Sequence, residues 1–397
     1  MKISKRILSG ELVAGVSVVL LALSLRPAIT GVAPLTERLV ASGFSQADVG
    51  LLTTIPLICF GTVGFLAARL SALLGLSRTL FAGLLLLSLG IVLRSASITV
   101  FFWAMGSFVL GSGIALGNVL LPGFLKARFP ERIGLMTAVY STAINVGTMV
   151  GLALAVPLLS RGGWNDSFRF WLYPTLFAAV LWTTQLRFRA GPVKAVTQPF
   201  RQLVAQRRVW QLALNFAFLA TTFFSSVAWL PAILQDRSFS EEQAAHWVTV
   251  MQITGCVASL VAPLVATRLR SQSGLMMGAN LLVALCFIGL IILPTSYITW
   301  PVVLLGVGLN SAFALVLLAL PLRSANPRTT GYLSAFAQSV GYLVSSPAPW
   351  ATGVLEDLTG SWTLPLSILA SAAVASGICA YLVGRPGTIS IAAADDV

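Results

Sequence analysis

The sequence predicts an all-α integral membrane protein whose twelve transmembrane helices form two parallel six-helix repeats. Three observations lead there. Of 397 residues, 57% are hydrophobic and 9% charged, far from the roughly 25% charge of a soluble domain. The basic residues sort onto alternate loops, and the two halves of the chain match each other at a fixed offset.

A helix needs about 20 apolar residues to cross a bilayer. Cutting the chain at charged and turn-rich breaks gives segments 12–36, 47–68, 77–94, 99–124, 133–158, 168–187, 209–234, 241–267, 274–293, 297–321, 329–352 and 363–383. The first follows Lys2, Lys5 and Arg6 and so imitates a signal peptide. Leu12 to Ile29 is long enough to span, however, and no small-residue cleavage site follows, so a retained helix is expected.

Twelve crossings put both termini on one face. That face takes 19 of the 25 Lys and Arg, six of them (Arg187, Arg189, Lys194, Arg201, Arg207, Arg208) around the linker between the halves. The other face takes Arg38, Arg94, Arg161, Arg169 and Arg237, and Arg26 remains inside a helix. Eight of the twelve acids gather opposite the termini. By the positive-inside rule the termini are cytoplasmic. The pI near 10.5 therefore reports orientation, and nucleic acid is not an expected partner.

The repeat is read from residue pairs. Pro34 matches Pro231, Trp103 matches Trp300, Pro130 matches Pro327 and Gly134 matches Gly331, all at a shift of 197 residues. Phe44-Ser45 recurs as Phe239-Ser240, Leu121-Pro122 as Leu320-Pro321, and Gly162-Gly163-Trp164 as Gly360-Ser361-Trp362. A shift of six helices preserves orientation, so the halves are parallel repeats about an axis along the membrane normal. The expected domains are a bundle over 1–187, a basic cytoplasmic linker over 188–208 and a second bundle over 209–397. One chain already holds both halves, so a monomer is expected to function.

Chemistry-bearing side chains are few. Cys59, Cys256, Cys286 and Cys379 lie in apolar segments without paired spacing and are expected to be free thiols. His246 is the only histidine, so neither a metal site nor a triad is expected, and no cofactor. A membrane-embedded enzyme lacks its nucleophile, base and orienting group.

Arg26 is the sharpest signal. It lies about 21 Å along the first span at about 1.5 Å per residue, inside a hydrocarbon layer of about 30 Å. All the acids fall in loops or near helix ends, so no permanent counter-ion is evident. Two readings follow: the guanidinium faces a watery cavity and meets an anionic or electron-rich substrate group, or it bonds backbone carbonyls near Pro27, Gly31 and Pro34.

Asn145, Gln252, Asn310 and Gln338 sit at comparable depth, as cavity lining or as interhelical glue. Tyr140, Trp229 and Tyr342 are candidate aromatic walls or packing residues. His246, below Glu241 and Glu242, is a candidate for proton coupling or a plain interfacial histidine beside Trp247. The function expected is a carrier of a small molecule between the halves, with a non-transporting membrane sensor as the alternative.

Several stretches resemble the cyanate and 2-nitroimidazole transporter family of the major facilitator superfamily. They are Leu25-Arg26-Pro27 with Gly31-Val32-Ala33-Pro34-Leu35, Gly50 to Pro56, Gly113 to Gly123, Ala228 to Leu234 and Ala337 to Tyr342. Gly113 to Gly123 and Ser77 to Leu87 are most like the 2-nitroimidazole members. The resemblance spans almost the whole chain and implies a twelve-helix secondary transporter of the inner membrane, working by alternating access on a small anion or polar nitro compound. The arginine of Leu25-Arg26-Pro27 suits either cargo. One departure stands out: Gly64 to Arg78, joining the second and third spans, keeps Gly75, Arg69 and Arg78 but has no acid for a gating salt bridge.

Overall fold

A computed structural model describes residues 2–43, 46–97, 99–188 and 199–391. Phe44 and Ser45 of the repeat, and linker residues 189–198 with Arg189 and Lys194, lie outside the described residues. The described chain is almost wholly helical, as hydrocarbon demands. With no water at hand, each backbone N–H and C=O must be satisfied within its own segment.

The crossings are α1 (Lys2–Ser24), α2 (Gln46–Leu74), α3 (Leu76–Ala96), α4 (Val100–Arg128), α5 (Ile133–Arg169), α6 (Leu172–Trp182), α7 (Arg207–Asp236), α8 (Glu241–Ala266), α9 (Ser273–Ile292), α10 (Thr299–Leu322), α11 (Pro327–Ser345) and α12 (Thr363–Val383). Length and hydropathy alone pick out ten membrane-crossing stretches among the described residues, for two reasons. The stretch Pro130–Gln185 contains both α5 and α6, and α11 carries Thr329, Thr330, Ser334, Gln338 and Ser339. All five are buried, so protein rather than lipid surrounds them.

The return from α5 to α6 is made at Gly163, whose φ of 72° suits a residue without Cβ. In the matching Gly360-Ser361-Trp362 stretch of the second half, Gly360 at φ 60° ends the helix Ala348–Thr359, which continues α11 before α12 turns back. The repeat keeps topology but not environment: Trp103 is buried, while Trp300 is 66% exposed.

Both termini share a face. Glu11 pairs with Arg132 at 3.6 Å, so the start of α1 meets the α4–α5 connection. Ile389 bridges Ser324, which brings the chain end to the α10–α11 connection. The halves join on this side. Lys126 Nζ of α4 donates to Pro321 O at 2.6 Å and to Ser324 O, capping the end of α10. Gln338 Nε2 donates to Asn118 O at 3.0 Å, and Ser141 Oγ to Ser259 O at 3.1 Å. The short helix Pro199–Val204 lays Phe200 over the same seam, 6.1 Å from Phe65 of α2 and 5.4 Å from Tyr332 of α11.

All four cysteines are free. Arg94 stands at the end of α3 away from the termini, as its place at the close of segment 77–94 implies, but it is not at the surface: the helix runs on to Ala96 and Arg94 lies in its last turn, 1% exposed. A carbonyl and an aromatic ring receive its guanidinium there, which makes the buried position tenable.

Candidate functional site

The site begins with a proline. Pro27 has no N–H to continue the helical ladder, so α1 stops at Ser24 and a four-residue helix, Pro27–Thr30, restarts with Arg26 at its N-cap. This break leans on α5. A Cβ at Gly147 would lie 2.6 Å from Leu23 O, and one at Gly151 would lie 2.7 Å from Pro27 Cα, so only glycine admits the approach. Thr30 Oγ1 adds a hydrogen bond to Thr148 O at 3.3 Å.

The Arg26 side chain is half-buried, and its Cζ lies 5.8 Å from the centre of the Phe60 ring. Among the described residues no carboxylate or hydrogen-bond acceptor meets its guanidinium. The Phe60 ring of α2 tilts against Tyr342 of α11 at 5.1 Å, and Tyr342 meets Phe216 of α7 at 5.2 Å and Phe224 at 6.1 Å. Tyr140 of α5 is buried within electrostatic reach of both Arg26 and Tyr342. Further along α5, Asn145 is buried with no hydrogen-bond partner for its Nδ2 among the described residues. A cation, three phenyl rings, two tyrosines and an unspent amide donor thus lie where the bundles meet. Such a set can pair with anionic oxygen and stack on a planar or polarisable group.

The remaining predicted residues lie elsewhere or are engaged. Gln252 is buried on α8, its amide without a hydrogen bond among the described residues. Asn310 donates to Gly306 O of its own helix at 3.0 Å and packs over Gly255 of α8, as interhelical glue does. Gln338 spans the seam to Asn118. Trp229 donates to Pro349 O at 2.6 Å and tilts against Trp362 at 5.6 Å, within the second bundle. His246 is exposed near the start of α8, its ring edge-on to Trp247 at 5.5 Å.

Three residues escaped the sequence reading. Phe60 is one apolar residue among many and gives no signal. Asn118 is the lone amide within Gly113 to Gly123 and was visible as a polar break there. Arg94 was hidden by standing at a segment boundary.

Residues 12–349 match the Major Facilitator Superfamily. The chain belongs to that superfamily. It is 34% identical over 376 residues to the 2-nitroimidazole transporter of Escherichia coli, covering 93% of this chain and 95% of that one. It is also 29% identical over 350 residues to the cyanate transport protein CynX of the same organism, covering 87% and 90%. In fold it is similar to the E. coli fucose:proton symporter FucP, with a TM-score of 0.79 over 95% of this chain and 100% of that chain, at 13% identity. Membership makes this chain a multi-pass membrane transporter, not an enzyme. Superfamily carriers hold cargo at the interface of two bundles, and the Arg26, Phe60 and Tyr342 group spans that interface.

Proposed function

We propose that the chain carries a small anion or a polar nitro compound, of the cyanate or 2-nitroimidazole kind, past Arg26 by alternating access. One observation supports this above the rest: a guanidinium deep in the membrane, half-buried, facing the Phe60 ring with no carboxylate or hydrogen-bond acceptor on it among the described residues. A charge held there costs at least about 2.5 kcal/mol, so a partner is due, and the cargo supplies it. Tyr140, Tyr342 and the Asn145 amide complete the site. Gln338, Asn310 and Trp229 hold helices together around it. The termini face the cytoplasm of an inner-membrane carrier, on the charge sorting of the loops, and a single chain suffices because it holds both bundles.

The test is flux into vesicles reconstituted with purified protein. Arg26→Ala is expected to insert and fold but lose uptake of cyanate and 2-nitroimidazole by about 100-fold, as loss of a paired charge-assisted contact implies. Arg26→Lys recovers little, because an ammonium does not offer the planar fork. Undiminished uptake by Arg26→Ala overturns the reading. His246 is exposed near the start of α8; as the proposed proton-coupling residue, it predicts that His246→Gln flattens the pH profile of uptake, and an unchanged profile removes it from coupling.

A further inference from the structure

Arg94 is a second arginine held inside the first bundle, and the transport reading leaves it unused. Its Nη1 donates to Ala28 O at 2.8 Å, and its Cζ stands 4.6 Å over the Phe168 ring. Nε and Nη2 are buried with no hydrogen-bond partner among the described residues. The surroundings are apolar: Val32, Leu35, Trp103 and Ala155 cluster with Phe168. A guanidinium is an expensive choice for such a place, which calls for a task that a leucine cannot perform.

The carbonyl it meets identifies the task. Ala28 belongs to the short helix that Arg26 starts, and that helix ends too soon to supply the usual donor four residues on. The N–H of Val32 turns to Ile29 O instead, at 3.2 Å. Ala28 O is thus an orphan helix-end acceptor inside the membrane, and Arg94 satisfies it from α3. On its other side the same segment rests on Gly147 and Gly151 of α5. The break is therefore gripped from two helices, and the Phe168 ring, at the far end of α5, keeps the gripping guanidinium in place.

We propose that Arg94 is a positioning residue: through Ala28 O it braces the broken segment and so sets the direction in which Arg26 points toward Phe60 and Tyr342. It touches no cargo. The proposal rests on the reading of Arg26 as the cargo contact for its consequence in transport, but the brace itself is measurable without cargo.

The experiment is hydrogen exchange by mass spectrometry on the full-length protein in nanodiscs, with no substrate added. Arg94→Met keeps bulk but removes the donor; amides within 23–32 are expected to exchange about tenfold faster, while α8 to α12 stay unchanged. Arg94→Lys, which retains a donor and its attraction to the Phe168 ring, is expected within about threefold of the parent. In vesicles, Arg94→Met raises the KM for cyanate or 2-nitroimidazole about tenfold with little change in maximal rate, and Arg94→Lys restores it. Lysine thus rescues at 94 and fails at 26. Unchanged exchange over 23–32 in Arg94→Met overturns the brace. Should that variant not accumulate, Phe168→Leu decides: faster exchange confined to 23–32 supports the brace, and parental exchange overturns it. Normal uptake by Arg26→Ala alongside faster exchange in Arg94→Met would remove the cargo reading and leave the brace standing.

Discussion

A buried amide donor left without a partner costs about 1 to 3 kcal/mol, and the Nδ2 of Asn145 bears that cost in α5. Its replacement therefore separates binding from folding. Asn145→Leu is expected to leave the melting temperature unchanged or raised, while weakening substrate affinity about tenfold, read as a thermal shift with 2-nitroimidazole. A fall in melting temperature with parental affinity would make Asn145 structural. The residue scale is also where the sequence speaks unevenly. Arg26 was legible because an ionisable group among apolar neighbours violates the solvent it sits in. Phe60, which the guanidinium faces, obeys that solvent and left no trace. Asn310 and Gln252 looked alike in sequence, since depth along a helix does not say which side of it a residue occupies.

At the scale of elements, the break in the first crossing governs the site. Pro27 ends α1, and the glycines of α5 let the loosened segment come close. Gly151→Leu is expected to push Pro27 aside, displace Arg26 and lower stability by about 1 to 3 kcal/mol, the usual cost of overpacking. Loss of cyanate flux together with a lower melting temperature checks it. Most crossings were readable because a bilayer admits helices and little else. The exceptions have physical causes. α11 is polar yet wrapped in protein, so hydropathy undervalues it. α3 runs on to Ala96 with Arg94 buried against Ala28 O and Phe168, and contacts from distant elements are invisible to a local reading of the chain.

For the whole molecule, the described hydrogen bonds between the bundles lie from the termini side to about the level of Arg26. Lys126 is the charged member of that closure, its ammonium set on the carbonyls that end α10. Lys126→Met is expected to loosen the closed form, and a cysteine placed by Ser141→Cys, buried in the α5–α8 seam, should react with a thiol reagent about tenfold faster. Equal rates would show that the seam is held by apolar packing and the neutral bonds at Gln338 and Ser259. The repeat was readable from paired prolines and glycines, but not this closure, because Lys126 and Arg323, a repeat apart, do different work: Arg323 stays within the second bundle on Val383 O and Gly384 O.

On the proposed pairing of Arg26 with an anion, the guanidinium at the break after α1 also makes carriage sensitive to voltage. A site that has released its anion carries a net positive charge, whereas a loaded site is neutral, so only the empty form feels the electric field. With the interior negative, that field draws the empty site inward, by up to about 2.3 kcal/mol per 100 mV if the charge crosses the whole drop. For an anionic cargo, turnover is then electrogenic and runs toward the positive side. A potassium diffusion potential imposed on vesicles should accelerate anion movement toward the positive side, and equal rates at either polarity would overturn this.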